Sequence, residues 1–346
     1  MSVLKTYLER LMRGENLTTE EMKEAMVACF TPSITDTEIA ALLTALKMKG
    51  ETAEEIAGMV EIIQSKSELS AIDLPNVMDN CGTGGDRSNS FNISTTASFV
   101  LAGAGMTVAK HGNRSVSSTT GSADVLEKLG VSLTLTPENT TDILRENGIA
   151  FLFAPHVHAN LRPFMKVRGE LGLPTVFNLI GPLTNPIQLE TQLVGVYDRN
   201  KLMTIAESLH KLGRKRAVVV NGAGYMDEAS LAGDNHIAFL NEGNIETFTV
   251  HPSDIGLPVH SNDAIRGGNA EENADILLRV LNNEPGPHLD TVLLNATLGL
   301  FANGKANTLD EGLEIARESV ASGAALQRLN RLVEFSKKTK QTSEVG

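Results

Sequence analysis

Residues 76–109 read NVMDNCGTGGDRSNSFNISTTASFVLAGAGMTVA, and this stretch decides the fold class. A β-like run at 76–80 is followed by a glycine-rich turn, a helical pattern at 94–104 and a second β-like run at 106–109. Strands and helices in alternation are typical of a parallel sheet whose crossover helices cover both faces. The stretch therefore predicts an α/β fold with a mostly parallel sheet flanked by helices.

The same alternation continues toward the C-terminus. Further β-like runs lie at 149–153, 192–197 and 216–220, and further helical patterns lie at 123–129 and 201–212. The run 236–250 carries Asn241-Glu242-Gly243-Asn244 between apolar residues, which favours an antiparallel hairpin. The end of the chain returns to helical patterns, so the sheet is expected to be complete before them.

The first 66 residues carry only helical patterns. Threonine precedes glutamate by the spacing of a capping box, in which each side chain pairs with the backbone of the other, at Thr18 and Glu21, Thr35 and Glu38, and Thr52 and Glu55. Four short helices in succession predict a small helical domain over residues 1–70. The change of pattern near Leu74-Pro75 predicts that a larger α/β domain covers 74–346.

The composition narrows the class of partner. The 346 residues include 42 acidic and 30 basic side chains, which give a formal net charge of -12. Because a nucleic-acid backbone requires a basic surface, we expect no nucleic-acid partner. The two cysteines, Cys29 and Cys81, form no disulfide framework, and neither a signal peptide nor a membrane span is recognisable. These observations predict a cytoplasmic protein without a membrane partner.

The densest glycine cluster, Cys81-Gly82-Thr83-Gly84-Gly85-Asp86, follows the first predicted strand. Glycines allow backbone N–H groups to surround an anion, although a plain tight turn explains the cluster equally well. No Gly-Lys-Ser/Thr follows, as a Walker A loop requires, and the glycine spacing does not match the dinucleotide fingerprint. The cluster is therefore a candidate phosphate loop of another kind.

Two further segments offer hydrogen-bond donors to an anion. The run 92–95, NIST, opens a helix, where Ser or Thr caps the helix or the free N–H groups bind phosphate. The run 110–118, KHGNRSVSS, follows the second predicted strand and is either a solvated turn or a donor-rich ligand loop. Three such segments close together favour phosphate binding.

A candidate metal site follows the strand predicted at 216–220. Asp227-Glu228 comes after a glycine-rich turn, and adjacent carboxylates suit Mg²⁺, although such a pair is more often solvated at the surface. Beside three candidate phosphate loops, metal binding is the better interpretation. Arg168 and His158 have no such context, and by themselves they are interpreted as a surface arginine and a structural histidine.

In this order, the segments resemble the anthranilate phosphoribosyltransferase family. The matching strings are CGTGGD at 81–86, NIST at 92–95, KHGNRSVSS at 110–118, GSADVL at 121–126, NLIGPLTNP at 178–186 and MDEAS at 226–230. Each string alone is weak, but their order is highly specific, and the resemblance extends over nearly the whole chain.

The resemblance implies a fold, a reaction and an assembly. The small helical domain, to which a segment near 160–190 returns, is hinged to an α/β domain that binds 5-phosphoribosyl 1-pyrophosphate. The phosphoribosyl group passes to the amine of anthranilate and pyrophosphate is released, a step of tryptophan biosynthesis. Homodimers form through the helical domain.

The resemblance also assigns site residues. Ser94, Asp227 and Glu228 would hold two Mg²⁺ ions. Anthranilate would face Asn113 and Arg168, with Gly82, His111, His158 and Pro182 nearby. The sugar diphosphate would contact Gly82, Gly85, Asp86, Ser90, Asn92, Ile93, Ser94, Thr95, Lys110, His111, Gly112, Asn113, Arg114, Ser115, Val116, Ser117, Ser118 and Ser122. No side chain is expected to act as an obligatory general base, because the aniline-like amine is neutral and nucleophilic near neutral pH.

Two positions depart from the family pattern, and two other functions stay open. Thr119-Thr120 stands where many relatives have lysine and a hydroxyl residue, and His158-Ala159 stands where many have His-Pro. A pyrimidine nucleoside phosphorylase shares the expected layout, but it would carry a Lys-x-Ser-Gly-Arg string and lack the Asp-Glu pair. A non-catalytic relative that binds nucleic acid would need a basic face.

Overall fold

The computed structural model describes residues 3–115 and 119–345. Its N-terminal part consists of the helices α1 (Val3–Met12), α2 (Thr19–Cys29), α3 (Asp36–Lys49) and α4 (Ala53–Ser65). The three predicted capping boxes are confirmed, since in each the threonine side chain and the glutamate side chain accept from the other residue's backbone N–H. Helix α3 ends at Gly50, whose φ of 90° favours glycine.

A seven-stranded sheet forms the centre of the remaining chain, in the order β3-β2-β1-β4-β5-β6-β7. The strands are β1 (Val77–Gly82), β2 (Thr107–Gly112), β3 (Ile149–Phe153), β4 (Thr191–Gly195), β5 (Arg216–Asn221), β6 (Asn235–Asn241) and β7 (Asn244–Val250). Strands β1 to β5 are parallel, and β6 and β7 are antiparallel at one edge. Both the mostly parallel sheet and the predicted hairpin are therefore confirmed.

Helices flank this sheet. They are α5 (Ile93–Gly103), α6 (Ser122–Lys128), α7 (Pro137–Asn147), α8 (Ala154–Val157), α9 (Arg162–Leu171), α10 (Phe177–Ile180), α11 (Leu202–Lys211), α12 (Ala270–Leu281), α13 (Pro287–Asn303), α14 (Leu309–Ala321) and α15 (Ala324–Val345). Strand β1 runs two residues further than predicted, so Cys81 and Gly82 belong to the strand and the glycine loop begins at Thr83.

Two hydrophobic cores lie on opposite faces of the sheet at β5. Val218 and Val220 pack into a core shared with α5 and α12 to α15, whereas Ala217 and Val219 pack into a core shared with α1 to α4 and α9 to α11. This alternation follows from the two-residue period of a strand. The ring of Phe164 on α9 lies 5.5 Å from that of Phe30, so the segment after β3 returns to the N-terminal helices.

The order of the strands indicates which edge of the sheet binds ligands. From β1 the chain moves outward to β2 and β3, and it then crosses back to β4 on the other side of β1. In open α/β sheets, ligands bind beyond the carboxyl ends of the strands where the order reverses in this way. The ends of β1, β2, β4 and β5 meet at that edge. In the described part of the chain, no helix is both long and apolar enough to cross a membrane.

Candidate active site

The glycine loop after β1 and the carboxylates after β5 lie against each other. The backbone N–H of Gly84 donates to Asp227 Oδ2 at 2.6 Å, and the N–H of Asp227 faces Asp86 Oδ2 at 3.4 Å. A Cβ at Gly82 would collide with the carboxylate and carbonyl oxygens of Asp227, so the close approach requires glycine there. The glycine cluster is therefore more than a turn, because it packs on the candidate metal residues.

Neither of the two adjacent carboxyl residues is fully solvated, since Asp227 is 9% exposed and Glu228 is half-buried. Burial and the charges of Asp86 and Glu228 raise the pKa of the Asp227 carboxyl well above its ordinary value. Burial raises the pKa of Glu228 to about 7, against the opposing effect of Lys110. The interpretation as a surface pair is therefore wrong. Enclosed carboxyl groups that resist ionisation suit a cation, which would favour their charged form.

The donor set fits Mg²⁺ that is shared with a phosphate ligand. Glu228 Oε1 accepts from the backbone N–H of Ser94 at 3.2 Å, and the Ser94 hydroxyl also hydrogen-bonds to Glu228. Within residues 3–115 and 119–345, no group of three or more His, Cys, Asp or Glu side chains is arranged to hold a metal. Mg²⁺ commonly uses one or two carboxylates and takes its remaining ligands from water and phosphate, so a pair of carboxylates is sufficient.

The N-terminus of α5 points at this region and lacks a side-chain cap. Asn92 occupies the N-cap position but makes no cap hydrogen bond, so the interpretation of this segment as simple capping is wrong. Its Oδ1 accepts from Asn273 at 2.9 Å and its Nδ2 donates to the carbonyl of Thr120 at 3.3 Å. The N–H groups of Ile93 and Ser94 already donate to the carbonyl of Phe91 and to Glu228 Oε1, so the first turn of α5 offers an anion mainly the positive end of its dipole.

The segment between the glycine loop and α5 carries two neighbouring hydroxyl groups, those of Ser88 and Ser90. Asp86 Oδ1 accepts from the N–H and the hydroxyl of Ser88, and that hydroxyl lies 3.2 Å from Ser90 Oγ. Ile93 and Thr95 are buried in the first turn of the helix. Gly85 faces solvent near the ring of Tyr197, and Ser90 is linked to the Asp86 carboxylate through the Ser88 hydroxyl.

Strand β2 runs to Gly112, three residues further than predicted, so a buried cation of the predicted loop lies in the strand itself. Lys110 is 2% exposed, its Nζ donates to the carbonyl of His111 at 3.2 Å, and it interacts electrostatically with Asp227 and Glu228. A buried ammonium group that interacts with Asp79, Glu228 and Asp227 is poorly explained by a solvated turn. Gly112 packs against Ser122 and the ring of Phe151, where a Cβ would be too close.

The loop that follows Gly112 is only partly directed at the site. Arg114 forms ion pairs with Asp124 at 2.7 Å and with Glu127 at 2.9 Å, so its guanidinium is directed to α6. Ser115 donates its N–H to Asp124, and the carbonyl of Asn113 accepts from Ala123. Val116, Ser117 and Ser118 lie outside the described residues.

A second group of predicted residues surrounds two histidines. The rings of His111 and His158 meet edge to face with centroids 5.4 Å apart, and His158 Nε2 hydrogen-bonds to the carbonyl of Thr184 at 2.9 Å. Pro182 is buried in the same segment, and its carbonyl accepts from Gln192 at 2.7 Å. Burial lowers the pKa of His111 well below its ordinary value and that of His158 to about 4, so both rings are neutral at neutral pH.

The neutral state of His158 leads to a prediction about stability. The pKa of His158 is 6.5 in the unfolded chain and about 4 in the folded protein. Between pH 4 and pH 6.5 the unfolded chain therefore binds more protons than the folded protein. The free energy of unfolding is therefore expected to fall as the pH drops from 6.5 toward 4, by at most about 3 kcal/mol from this residue.

Chemical denaturation of the His158→Gln variant at several pH values measures this contribution. The variant should lose part of the acid dependence of the unfolding free energy, whereas His210→Gln, which alters an exposed ring, should keep it. An acid dependence equal in all three proteins would show that His158 does not stay neutral in the fold.

Arg168 lies apart from the phosphate loops, on α9. Its guanidinium carbon is 5.2 Å from the ring centre of Phe177, and its Nη1 is 3.3 Å from Met165 Sδ. Burial lowers the pKa of Arg168, and no carboxylate among the described residues opposes this effect. The arginine is thus half-buried without an acidic partner, which differs from the ion-paired surface arginine that its sequence context suggested.

The sequence did not reveal the buried polar residues behind the site. Asp79 is fully buried in β1, where it accepts from the N–H of His111 at 3.3 Å and from Asn185 Nδ2 at 3.0 Å. Asn185 also donates to the carbonyl of Ala109 at 2.7 Å. A carboxylate in the middle of a strand that is expected to be covered on both faces is the signal that would have identified Asp79.

Comparison with protein families places the chain among glycosyl transferases. Residues 5–67 match the helical bundle domain of the glycosyl transferase family, and residues 74–326 match its a/b domain. The anthranilate phosphoribosyltransferase of Oceanobacillus iheyensis is 55% identical and aligns over 98% of this chain and 99% of its own length. The anthranilate phosphoribosyltransferase of Listeria welshimeri is 56% identical and aligns over 96% of this chain and 98% of its own length.

Solved structures agree. The anthranilate phosphoribosyltransferase of Thermus thermophilus is 40% identical and superposes with a TM-score of 0.91, over 97% of this chain and all (100%) of its own. The enzyme of Saccharomyces cerevisiae in complex with PRPP and Mg is 27% identical, with a TM-score of 0.87 over 97% of this chain and 98% of its own. The match therefore includes both the helical part and the sheet.

Proposed function

The chain belongs to the anthranilate phosphoribosyltransferase family, and we propose that it transfers the phosphoribosyl group of 5-phosphoribosyl 1-pyrophosphate to the amine of anthranilate, as a step of tryptophan biosynthesis. The observation that carries the proposal is the pair Asp227 and Glu228, enclosed between the glycine loop and the N-terminus of α5. The relatives favour this reaction over nucleoside phosphorolysis and over nucleic-acid binding.

The sugar diphosphate is proposed to bind at the carboxyl edge of the sheet. Backbone N–H groups of the glycine loop and of α5, together with the ammonium group of Lys110, supply the positive surroundings that a diphosphate needs. The proposed contacts are Gly82, Gly85, Asp86, Ser90, Asn92, Ile93, Ser94, Thr95, Lys110, His111, Gly112, Asn113, Arg114, Ser115, Val116, Ser117, Ser118 and Ser122. For Arg114 the contact would be through its backbone, because its side chain is paired with α6.

Two Mg²⁺ ions are proposed to bind with the diphosphate at Ser94, Asp227 and Glu228. Support comes from the enclosed carboxylates and from the yeast relative, which was solved with PRPP and Mg. Bound Mg²⁺ supplies positive charge that stabilises the departing pyrophosphate.

The reaction needs no nucleophilic side chain from the protein. The bond between the anomeric carbon and the pyrophosphate oxygen breaks, the amine nitrogen of anthranilate forms the new bond to that carbon, and the amine proton passes to solvent. Burial raises the pKa of Cys81 to about 12, so this thiol stays protonated and is no nucleophile. The protein contributes alignment of amine and sugar and donors for the leaving group.

Anthranilate is proposed to bind between the two histidines and α9. Arg168, a cation without an acidic partner, would hold its carboxylate, and Asn113 would face the ring. Gly82, His111, His158 and Pro182 would lie nearby. Neutral imidazole rings suit an aromatic ligand, since they add no charge next to the uncharged amine.

Release of pyrophosphate from 5-phosphoribosyl 1-pyrophosphate tests this proposal with a panel of acceptors. We expect release that depends on Mg²⁺ with anthranilate, weak release with aniline, which lacks the carboxylate, and none with benzoate, which lacks the amine. If aniline and anthranilate gave equal release of pyrophosphate, the acceptor carboxylate would have no part in recognition. Phosphate-dependent cleavage of thymidine would instead identify a nucleoside phosphorylase.

The assembly and compartment are part of the same proposal. We propose two domains, 1–70 with the returning segment near 160–190 and the remainder of 74–346, and a homodimer through the helical part. Support for the dimer comes from large apolar side chains exposed on the N-terminal helices, with Met12 78% and Met48 85% exposed. The proposed compartment is the cytoplasm, where the free cysteines stay reduced.

A further inference from the structure

Two asparagine side chains hold the segment that carries the carboxylates. Asn295 on α13 accepts from the N–H of Ala229 at 2.9 Å and donates to the carbonyl of the same residue at 2.9 Å. Asn235 at the start of β6 accepts from the N–H of Ser230 at 2.7 Å and donates to its carbonyl at 2.9 Å. Each amide thus satisfies both backbone groups of one residue, as a neighbouring strand would.

This pairing explains how the segment can be buried outside any strand. Ala229 and Ser230 are both 0% exposed and lie between the end of β5 and the start of β6. Buried N–H and C=O groups must find partners, and a segment without a ladder obtains them from side chains or water. Asn295, itself 1% exposed, is further fixed by a bond to the carbonyl of Thr291 at 2.9 Å.

The backbone on both sides of Glu228 is held closely. The N–H of Asp227 lies 3.4 Å from Asp86 Oδ2, and Ala229 is paired with Asn295. On the opposite side, the carbonyl of Glu228 comes so close to Gly222 that a Cβ there would collide with it. The backbone that follows Glu228 is therefore confined between Gly222 and Asn295.

We propose that Asn295 is a positioning residue for the metal-binding carboxylates. Its amide fixes the backbone of Ala229 and thereby orients Asp227 and Glu228 before a cation binds. Asn235 fixes the backbone of the next residue, Ser230, in the same way. The inference rests on the proposed function only in taking Asp227 and Glu228 as the metal ligands. It concerns the order of the segment in the free protein, which can be measured without turnover.

Two measurements on Asn295→Ala test the inference. The first is amide hydrogen exchange of residues 226–230 in the metal-free protein, which we expect to become about tenfold faster because both partners of Ala229 are lost. The second is thermal stabilisation by Mg²⁺ with inorganic pyrophosphate as the probe. We expect the Mg²⁺ concentration at half effect to rise about tenfold.

Asn147→Ala is the matched control. Asn147 is also a 1% exposed asparagine whose amide donates to a backbone carbonyl, that of Arg328 at 2.8 Å, but it joins α7 to α15. This variant should lower the melting temperature and leave both the exchange at 226–230 and the Mg²⁺ response unchanged. Should Asn295→Ala not fold, Asn295→Ser carries the same two measurements with a smaller change in polarity.

The outcomes separate this inference from the proposed function. Exchange and Mg²⁺ response that match those of Asn147→Ala would reduce Asn295 to a structural residue and overturn the inference. An absence of any Mg²⁺ response in the unaltered protein would overturn it as well. Faster exchange with a weaker Mg²⁺ response, in a protein that forms no phosphoribosyl-anthranilate, would support the inference and contradict only the transfer reaction.

Discussion

Replacing Asp227 with Asn and Glu228 with Gln together is expected to lower kcat/KM by about 10²–10³-fold, the loss that follows when charge stabilisation of a leaving group is removed. Neutral amides keep the size of the side chains but bind a divalent cation weakly. The rate should also lose its saturable dependence on Mg²⁺. Steady-state rates of pyrophosphate release across an Mg²⁺ titration measure both effects.

The same double variant should be more stable than the unaltered protein when no metal is present. Burial raises the pKa of both carboxyl groups, which means that their charged forms oppose folding, and amides carry no charge. Asp275→Asn with Glu246→Gln, two exposed carboxylates, is the control with the same change of net charge. An unchanged Mg²⁺ titration in the first variant would contradict the metal assignment.

Replacing Arg168 with Ala is expected to raise the KM for anthranilate by about 10- to 100-fold, the cost of losing a hydrogen bond to a charged group. The KM for the sugar diphosphate should change little, because no hydrogen bond among the described residues joins Arg168 to the glycine loop or to α5. Arg168→Lys should recover only part of the affinity, since an ammonium group lacks the planar fork of guanidinium.

Arg162→Ala provides the control for Arg168, because it removes an exposed arginine from the start of the same helix. Initial rates at varied anthranilate and then at varied sugar diphosphate separate the two constants. A change confined to the sugar-diphosphate constant in Arg168→Ala would show that the arginine does not hold the acceptor.

Local patterns in the sequence were sufficient for the four N-terminal helices, for the strands, and for α5, α6 and α11, but they did not identify α7, α9 or α10. The capping boxes at Thr18, Thr35 and Thr52 depend only on neighbouring residues, and the hairpin at 236–250 depends on its turn. The three candidate phosphate loops favoured metal binding by Asp227-Glu228, which alone would have been interpreted as a surface pair, and the resemblance then assigned the ions. Its burial follows from the meeting of two strand ends, which no local pattern encodes.

Contacts between distant segments could not be predicted in the same way. Asn295 lies 66 positions from Ala229, and Asn185 lies 106 positions from Asp79, so their pairing depends on the packing of whole elements. Asn92 was assigned to the ligand from its motif, but its release from capping depends on Asn273, 181 positions away. Sequence patterns thus identified the candidate ligand loops, and tertiary structure was needed to find the residues that hold them.

The loss of anthranilate fluorescence in a mixture of the protein, Mg²⁺, 5-phosphoribosyl 1-pyrophosphate and anthranilate tests the central claim most directly. We expect the fluorescence to decay, with equal amounts of pyrophosphate released and anthranilate consumed, and the decay to stop when Mg²⁺ is chelated. Fluorescence that stays constant with active, folded protein and saturating substrates would contradict the claim that this chain is a phosphoribosyltransferase acting on anthranilate.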